Sequence, residues 1–394
     1  MISKYRDRFN AEFSQEKYTA VLKKLEEKGK TNPLFRVSES PVFLTKSFQK
    51  DLYSACESII TQIKEMSDEE LSKAIPEKYN VPNDTKQPHF FTIDFGICQD
   101  ENGKVVPQLI ELQAFPTLYG FQKELQNTLC EVYPFLNDLK PEISNADYYD
   151  KLRKLIVGDE NPENVILLEI RPHDQKTNID FYIIEQKLGV KPVCLSEVIK
   201  EGKKLYYDNN GTKTEIKRIY NRVIFDELDA VKDFTPGFDF REDLDVKWIT
   251  HPNWFFKISK FILPKLSHEF VPKSYFLDDF PAVENPDEYV LKPLFSFAGA
   301  GVNLNPTKED LASIKDRDNY ILQKKVTYAP LFRDINGDFS KGEIRLLYIW
   351  HEDQERPELM EHLVRMTKVA MVNVDFNTKD AIWIGGSTAF FAEE

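Results

Sequence analysis

The sequence has few cysteines, and none of them is close to another. The four thiols are Cys56, Cys98, Cys130 and Cys194, so the chain contains no CxxC pair. Zinc ribbons are built from such pairs, and their absence excludes that class of metal site. Widely spaced cysteines are also typical of a reducing compartment, where thiols stay free.

Long apolar runs and an excess of basic residues are also missing. No apolar run reaches membrane-spanning length, and the charged N-terminus has no apolar core of a signal peptide. The formal net charge is −13, whereas a protein that binds nucleic-acid phosphates needs a basic surface. We therefore expect a cytoplasmic protein that binds neither membranes nor nucleic acids.

The residues that are present indicate a folded protein with more than one lobe. Hydrophobic residues make up 41% of the 394 residues and charged residues 30%, and there are 29 phenylalanines. This length exceeds what one compact core usually holds, which predicts two or three packed lobes. An apolar strand over 165–170, a helix over 176–188 and a strand over 193–195 suggest a parallel unit, so the predicted fold class is α/β. No Ser/His/Asp or Cys/His grouping stands out.

The segment 287–326 has the pattern of a phosphate-binding element. A short apolar strand ends at Lys292 and Pro293, and a loop of small residues follows over 296–301. Small residues allow backbone N–H groups to approach a phosphate, and Lys292 would neutralise its charge. A strand from Val302, a helix over 308–314 and a further strand over 320–323 are predicted next.

The loop by itself has a more ordinary interpretation. A glycine turn between two strands is more often a simple hairpin than a phosphate cradle. The loop is not a Walker motif, because no Gly-Lys-Ser/Thr follows it, and it is not a dinucleotide fingerprint, because no helix follows directly.

A second constellation lies in a predicted hairpin upstream. Asp94 is near the end of one strand, and Glu111 and Gln113 are two positions apart on the next, which places both on one face. Carboxylate and amide oxygens together are suitable ligands for Mg²⁺. Two carboxylates in one pocket would also repel, which predicts a raised pKa for one of them. The alternative, in which Glu111 faces solvent on an edge strand, remains open at this point.

This arrangement resembles glutathionylspermidine synthase and its circularly permuted ATP-grasp relatives. The matching residues are Asp94, Glu111, Gln113 and Ala114, which precede the lysine and glycine-loop segment as they do in that family. Two positions differ from the family pattern. Gln113 replaces the usual Asn, and Thr92 stands where the family often has Arg.

The resemblance implies ATP and Mg²⁺ as cofactors and a small carboxylate and an amine as substrates. The implied reaction is amide formation through an acyl phosphate. The implied metal ligands are Asp94, Glu111 and Gln113. The residues implied to bind the nucleotide are Lys260, Lys292, Ser296, Gly299, Gly301, Gln323, Lys324 and Val326. The implied catalytic residues, which would meet the substrate or the acyl phosphate, are Arg222 and Arg345.

Local matches to the family settle some choices between neighbouring residues. A predicted helix over 251–266 carries Lys257 and Lys260, and the family's motif falls on Lys260. Glu343 is expected to share a strand face with Arg345 and to pair with it. The family ends its last strand with a Gly followed by an Arg or an acid, whereas here the sequence is Gly385-Gly386-Ser387.

The resemblance covers about residues 88–390 and implies a circularly permuted ATP-grasp architecture with a preceding helical segment. The predicted division is a mainly helical segment over 1–87, a metal-binding hairpin over 88–130, an α/β lobe over 131–250 and nucleotide-binding lobes over 251–394. A non-catalytic ATP-binding sensor or interaction module is the alternative function. The sequence leaves the oligomeric state open.

Overall fold

The structure, a computed structural model, describes residues 2–139, 145–295, 301–369 and 381–394. Its first part is mainly helical and includes one short strand and a long hairpin. The elements are α1 (Ser3–Glu12), α2 (Gln15–Gly29), β1 (Val42–Thr45), α3 (Lys46–Glu65), α4 (Asp68–Ser72), β2 (Phe90–Gln99), β3 (Val105–Ala114), α5 (Tyr119–Val132) and α6 (Asn145–Ile156).

The middle of the chain forms an α/β lobe. Its elements are β4 (Val165–Glu169), α7 (Asn178–Leu188), β5 (Lys191–Cys194), β6 (Ile199–Glu201), β7 (Lys204–Asn209), β8 (Thr212–Ile216), β9 (Arg218–Asn221), α8 (Phe225–Ala230) and β10 (Lys247–Ile249). Strands β10, β9, β4 and β5 form a parallel sheet in that order. The central strand β4 is apolar and buried throughout, as expected for a parallel strand covered on both faces. The predicted parallel unit is confirmed.

The last part of the chain supplies most of the strands near the candidate site. Its elements are α9 (Trp254–Lys257), β11 (Ser274–Phe276), β12 (Tyr289–Pro293), α10 (Lys308–Ser313), β13 (Tyr320–Lys324), β14 (Phe332–Arg333), β15 (Phe339–Ile349), β16 (Glu358–Thr367), β17 (Gly385–Ser387) and β18 (Ala389–Ala392).

The central sheet joins distant parts of the sequence. Its strand order is β17-β16-β15-β2-β3, every neighbouring pair is antiparallel, and β14 also pairs with β15. The upstream hairpin β2–β3 therefore completes a sheet that begins in the last part of the chain. A separate sheet, β11-β13-β12, carries the strand that ends in Lys292 and Pro293.

The N-terminal segment is tied to the C-terminal strands. Strand β1 pairs in parallel with β18, and the ring of Phe9 packs edge-on against Trp383. The segment 1–87, predicted to be mainly helical, therefore also contains a strand, β1. The division into four segments stays a prediction.

Two further expectations about local structure need correction. The predicted helix over 251–266 is broken: α9 ends at Lys257, and a 3-10 helix over Lys260–Lys265 follows. Pro264 lies inside that second piece, and a proline cannot donate the backbone hydrogen bond of a regular helix. No strand begins at Val302 in the described residues, where Asn303 forms only an isolated bridge to Leu291.

Candidate functional site

A row of charged side chains crosses one face of the central sheet. The register places Arg345 of β15 opposite Asp94 of β2, and Asp94 opposite Glu111 of β3. Glu343 is two residues before Arg345 on β15, so it lies on the same face, and it is opposite Arg365 of β16. Directly opposed residues share a face of an antiparallel sheet. These five side chains therefore form one continuous charged row.

Asp94 is the centre of this row. Arg345 donates from Nε to Asp94 Oδ1 at 2.8 Å and from Nη2 to Oδ2 at 2.6 Å. Arg365 Nη2 donates to the same Oδ2 at 2.8 Å and to Glu343 Oε2 at 2.8 Å. Asp94 is fully buried, and a two-point arginine contact is the strongest pairing available to a buried carboxylate. Both oxygens of Asp94 are thus held by guanidinium groups.

Glu111 and Gln113 lie side by side at the edge of the sheet, as the two-residue period predicted. Gln113 Nε2 donates to Glu111 Oε1 at 2.6 Å, and Arg345 Nη2 donates to Gln113 Oε1 at 3.1 Å. The ammonium of Lys260 lies 3.7 Å from Glu111 Oε2. The side chain of Glu111 is only 16% exposed, so the alternative in which it faces solvent is wrong.

Lys292 approaches the row from the separate sheet. Its Nζ donates to Gln323 Oε1 at 2.5 Å and to the carbonyl of Ile110 at 3.1 Å. Gln323 Nε2 donates in turn to the carbonyl of Leu109 at 3.1 Å. Both contacts dock β12 and β13 against the backbone of β3. Lys292 is therefore fixed beside the carboxylate of Glu111.

The two lysines of the segment before β11 have separate environments. Lys257 Nζ is buried and lies 2.6 Å from carboxylate oxygens of both Asp68 and Asp84. Lys260 instead faces Glu111. Lys260 therefore lies beside the charged row, whereas Lys257 is paired with Asp68 and Asp84, and the predicted role of Lys260 stays a prediction.

A small pocket opens next to Lys260. Its polar side is formed by Gln113, Ser259 and Lys260, and its apolar side includes Leu294 and Phe295. The pocket places an apolar wall beside the charged row. Such a combination of apolar lining and a few convergent polar groups is typical of small-molecule sites.

The glycine loop is described only at its end. Ser296 and Gly299 lie outside the described residues. Gly301 has a φ of +71°, and a Cβ at this position would be 2.8 Å from Pro293 Cγ. Only glycine adopts this conformation without strain, so the chain leaves the loop through a turn that requires Gly301.

The other residues predicted to contact the nucleotide do not lie together. Gln323 points to Lys292, whereas Lys324 forms an ion pair with Glu288 and is 41% exposed. Val326 is partly buried against the main core. Alternate residues of a strand point to opposite sides, which explains why Gln323 and Lys324 separate.

Arg222 contacts the loop that follows β3. Its Nη1 donates to the carbonyls of Phe115 and Pro116, at 2.7 Å each. Asp180 holds the same loop by accepting from the backbone N–H groups of Leu118 and Phe121. The geometry therefore makes Arg222 a support for the strand end that carries Gln113, and its predicted catalytic role stays a prediction.

Arg365 is the functional candidate that sequence reasoning missed. It pairs with Glu343, which was expected to pair with Arg345, and Tyr328 donates its hydroxyl to the same Glu343. Glu111 is a charged residue within an apolar stretch of strand, and such a position is a criterion for a functional residue. The same criterion applied to the apolar surroundings of Arg365 would have found it.

The pKa values of the cluster follow from burial and opposite charge. Burial works to raise the pKa of Glu111, but Lys260, Arg365, Lys292 and Arg345 together lower it below its usual value. The expected rise from repulsion is therefore wrong for Glu111, because cations lie between the carboxylates. Burial raises the pKa of Glu343 despite the opposing charge of Arg365. Burial also lowers the pKa of Lys292 to about 8.

The predicted magnesium ligands do not fit a cation in this arrangement. In the described ranges no group of three His, Cys, Asp or Glu side chains is arranged to hold a metal ion. Asp94 and the oxygen of Gln113 both accept hydrogen bonds from Arg345. Two unit charges 4 Å apart interact by about 4 kcal/mol in a partly buried site, so a divalent ion here would be repelled by Arg345 and Arg365.

The comparisons with known proteins support the fold. No family model matches the sequence, and no curated protein matches it. Among solved structures, the chain is similar to a glutathione synthetase-like effector from Globodera pallida in its apo form. The TM-score is 0.60 at 12% sequence identity, and the match covers 96% of each chain.

This likeness shows that the chain has a mixed α/β, ATP-grasp-like fold, as predicted. Strands β2 and β3 lie upstream of β12 and β13 in the sequence, and β2 pairs with the later strand β15. In the described ranges no helix has both the length and the apolar character needed to cross a membrane.

Proposed function

We propose that this protein is an ATP-dependent ligase that joins a carboxylate to an amine. The observation that carries this proposal is the convergence of Lys260 and Lys292 on one row of charged residues. They come from different elements and both act on the carboxylate of Glu111, and Gly301 lies against Pro293, the residue that follows Lys292. Two lysines from different elements that converge on one carboxylate are suited to holding a polyphosphate.

In the proposed reaction, a carboxylate oxygen of the acid attacks the terminal phosphorus of ATP, and ADP leaves. The amine nitrogen then attacks the acyl carbon and loses a proton, phosphate leaves, and an amide remains. Phosphorylation is needed because a free carboxylate is a poor electrophile. Donors that are already in place when charge develops lower the barrier most.

The residues of the row have distinct proposed roles. Lys260 and Lys292 hold the phosphates, and Gln323 positions Lys292 through its 2.5 Å hydrogen bond. Arg345 and Arg365 face the transferred phosphoryl group and the acyl phosphate. Leu294 and Phe295 provide an apolar wall beside the phosphate site.

A non-catalytic nucleotide-binding module is the second candidate. One observation favours it: Asp94 occupies donors of both Arg345 and Arg365. In a protein that only binds ATP, this internal pairing would never need to open. ADP release separates the two functions, because a binding module holds ATP without turnover.

The test combines turnover with a matched pair of lysine variants. Phosphate and ADP release from ATP is measured with pooled amino acids, peptides and polyamines, and ATP affinity is measured by calorimetry. Lys260→Met should weaken ATP binding by roughly 1.5–3 kcal/mol, the range for hydrogen bonds to charged groups.

Lys257→Met is the control, because Lys257 is also buried, lies in the same segment and is paired with carboxylates. It should lower stability and leave the ATP affinity of the folded protein unchanged. Equal ATP affinities for the Lys260→Met variant and the unmodified protein would remove this site from consideration. ATP binding without ADP release in the presence of every substrate pool would indicate the non-catalytic nucleotide-binding module instead of the ligase.

A further inference from the structure

We infer that this site binds a nucleotide polyphosphate through its own cations, without a divalent cation held by Asp94, Glu111 and Gln113. The inference rests on the proposed function, since it concerns how the same site takes ATP. It begins from the balance of charge. The cluster contains more cationic than anionic side chains: Lys260, Lys292, Arg345 and Arg365 against Asp94, Glu111 and Glu343.

The carboxylates are already committed to these cations. Asp94 accepts from Arg345 and Arg365, and Glu343 accepts from Arg365 and from the hydroxyl of Tyr328. Glu111 lies between Gln113 and Lys260. A metal ion would have to replace these partners one by one, whereas an anion needs only to join the cations.

An available donor marks where the anion would bind. The Nε of Arg365 is buried and has no hydrogen-bond partner in the described structure. A buried N–H without a partner is uncommon, because leaving it unpaired is unfavourable. A phosphate oxygen would satisfy it, and guanidinium groups match the geometry of phosphate oxygens.

The amide of Gln113 also favours binding of an anion over binding of a metal ion. A carboxylate at this position would add negative charge next to Glu111, and the amide does not. The amide instead uses both of its ends, donating to Glu111 and accepting from Arg345. With an amide instead of a carboxylate at position 113, the row has one negative charge fewer to attract a cation. It also has one more hydrogen bond that holds Arg345 in place.

The test measures ATP binding to the full chain by calorimetry in excess EDTA and again in excess magnesium chloride. Tripolyphosphate in EDTA serves as a second probe of the phosphate site. We expect the ATP dissociation constant in EDTA to be within about threefold of that in magnesium. An affinity that rises tenfold or more with magnesium would overturn the inference while leaving the proposed function standing.

The absence of ATP binding under both conditions has a different meaning. It would overturn the proposed function and this inference together, so the two failures are distinguishable. Binding of tripolyphosphate in EDTA supports the inference. The inference is contradicted if tripolyphosphate does not bind in EDTA and ATP binds only when magnesium is present.

Two variants make the test specific to this row. Arg365→Gln should weaken ATP binding in EDTA at least tenfold, whereas Arg218→Gln should not change it. Arg218 is the control because it is a partly buried strand arginine that donates to backbone carbonyls of Leu155 and Ile156. An unchanged affinity of the Arg365→Gln variant would contradict the inference.

Gln113→Glu keeps the test valid should Arg365→Gln fail to fold. It introduces a further carboxylate beside Glu111 without removing any cation. We expect it to weaken ATP binding in EDTA and to make the binding depend on magnesium. The inference is wrong if this variant binds ATP in EDTA as tightly as the unmodified protein does.

Discussion

Strand β16 carries two charged residues on one face of the central sheet, and they are buried in different ways. Arg365 lies in the charged row and contacts carboxylates of two neighbouring strands. Glu361 lies further along the same face, opposite Leu347. Helix α5 covers it, since Gln126 of that helix donates to Glu361 Oε1 at 3.0 Å.

The two residues meet the penalty of burial by different means. Opposite charges raise the pKa of Arg365 against the effect of burial, so it stays charged. Burial raises the pKa of Glu361 to about 7, although Lys123 acts in the opposite direction. The second oxygen of Glu361, Oε2, has no hydrogen-bond partner in the described structure.

This contrast separates a site from a sealed interior. In the charged row each carboxylate has a cation beside it, so an incoming anion can exchange contacts without leaving a bare charge. Under α5 the carboxyl group has instead a raised pKa, so burial favours its protonated form. Buried ionisable groups generally follow one of these two solutions.

The largest effect is expected from breaking the charged row at its centre. Asp94→Ala should lower the free energy of unfolding by roughly 3–5 kcal/mol, because Arg345 and Arg365 would lose their shared buried partner. Urea denaturation measures the change. Asp7→Ala is the control: its ion pair with Arg333 is exposed and should contribute less than about 1 kcal/mol. Similar small losses for both variants would show that the row is not a buried network.

Removing the charge of Glu361 should have the opposite effect and increase the free energy of unfolding. The pKa of this carboxyl is about 7 in the folded protein, against a usual 4.5. Its raised pKa means that folding is favoured by protonation, and that stability falls as pH rises from about 4.5 to 7. Glu361→Gln should therefore stabilise the protein at pH 8, by up to about 3 kcal/mol.

His362 makes this prediction sharper. Burial lowers its pKa from 6.5 to about 4, so its contribution to stability rises with pH between about 4 and 6.5. The two trends oppose each other in the unmodified protein. In Glu361→Gln the trend of His362 should stand alone, and thermal unfolding from pH 4 to 8 should reveal it.

Glu124→Gln provides the control on the covering helix. Burial works to raise the pKa of Glu124, but Tyr149, Lys28 and Lys187 together lower it. Its charge is therefore favourable, and the substitution should destabilise the protein at pH 8. A stabilising Glu124→Gln, or a destabilising Glu361→Gln, would contradict the distinction between paired and neutralised carboxyl groups.

The same contrast explains what could be predicted from the sequence. The period of two was enough to place Glu111 and Gln113 on one face, and a family motif was enough to choose Lys260 over Lys257. Both inferences depend on neighbours within one segment. The α/β class could also be predicted, because the apolar strand β4 and the glycine-terminated helix α7 are local patterns.

The partners across strands could not be predicted in this way. Whether Glu343 meets Arg345 or Arg365 depends on the register of β15 and β16, which no local pattern sets. The burial of Glu361 could not be predicted either, because the helix that covers it, α5, is more than two hundred residues away in sequence. The arginines that pair with Asp94 could not be predicted for the same reason, because they come from distant strands.

An intermediate effect is expected from the protonation of Lys292. Its pKa is lowered to about 8 by burial, and Glu111, Lys260, Glu343 and Asp94 are the charged groups that act on it. Above pH 8 the lysine loses its proton, so tripolyphosphate affinity should fall by up to about tenfold per pH unit, or about 1.4 kcal/mol.

Lys292→Arg is the matched variant for that pH series, because arginine stays charged throughout the range. Its affinity should be flat between pH 7 and 9.5. Parallel pH profiles for the two proteins would assign the loss of affinity to another group.

The smallest effect is expected from shortening the bridge between the two ends of the charged row. Gln113→Asn keeps the amide but brings it one methylene closer to β3, so it cannot reach both Glu111 and Arg345. The loss should be about 0.5–1.5 kcal/mol in the free energy of unfolding, the usual contribution of a hydrogen bond, measured by urea denaturation.

The Gln113→Asn variant also restores the residue that the ATP-grasp resemblance leads one to expect there. If the arginines, rather than the choice of amide, exclude a metal from the row, ATP binding by Gln113→Asn should remain independent of magnesium. A variant that binds ATP only with magnesium would instead show that one methylene decides between a cation and an anion at this position.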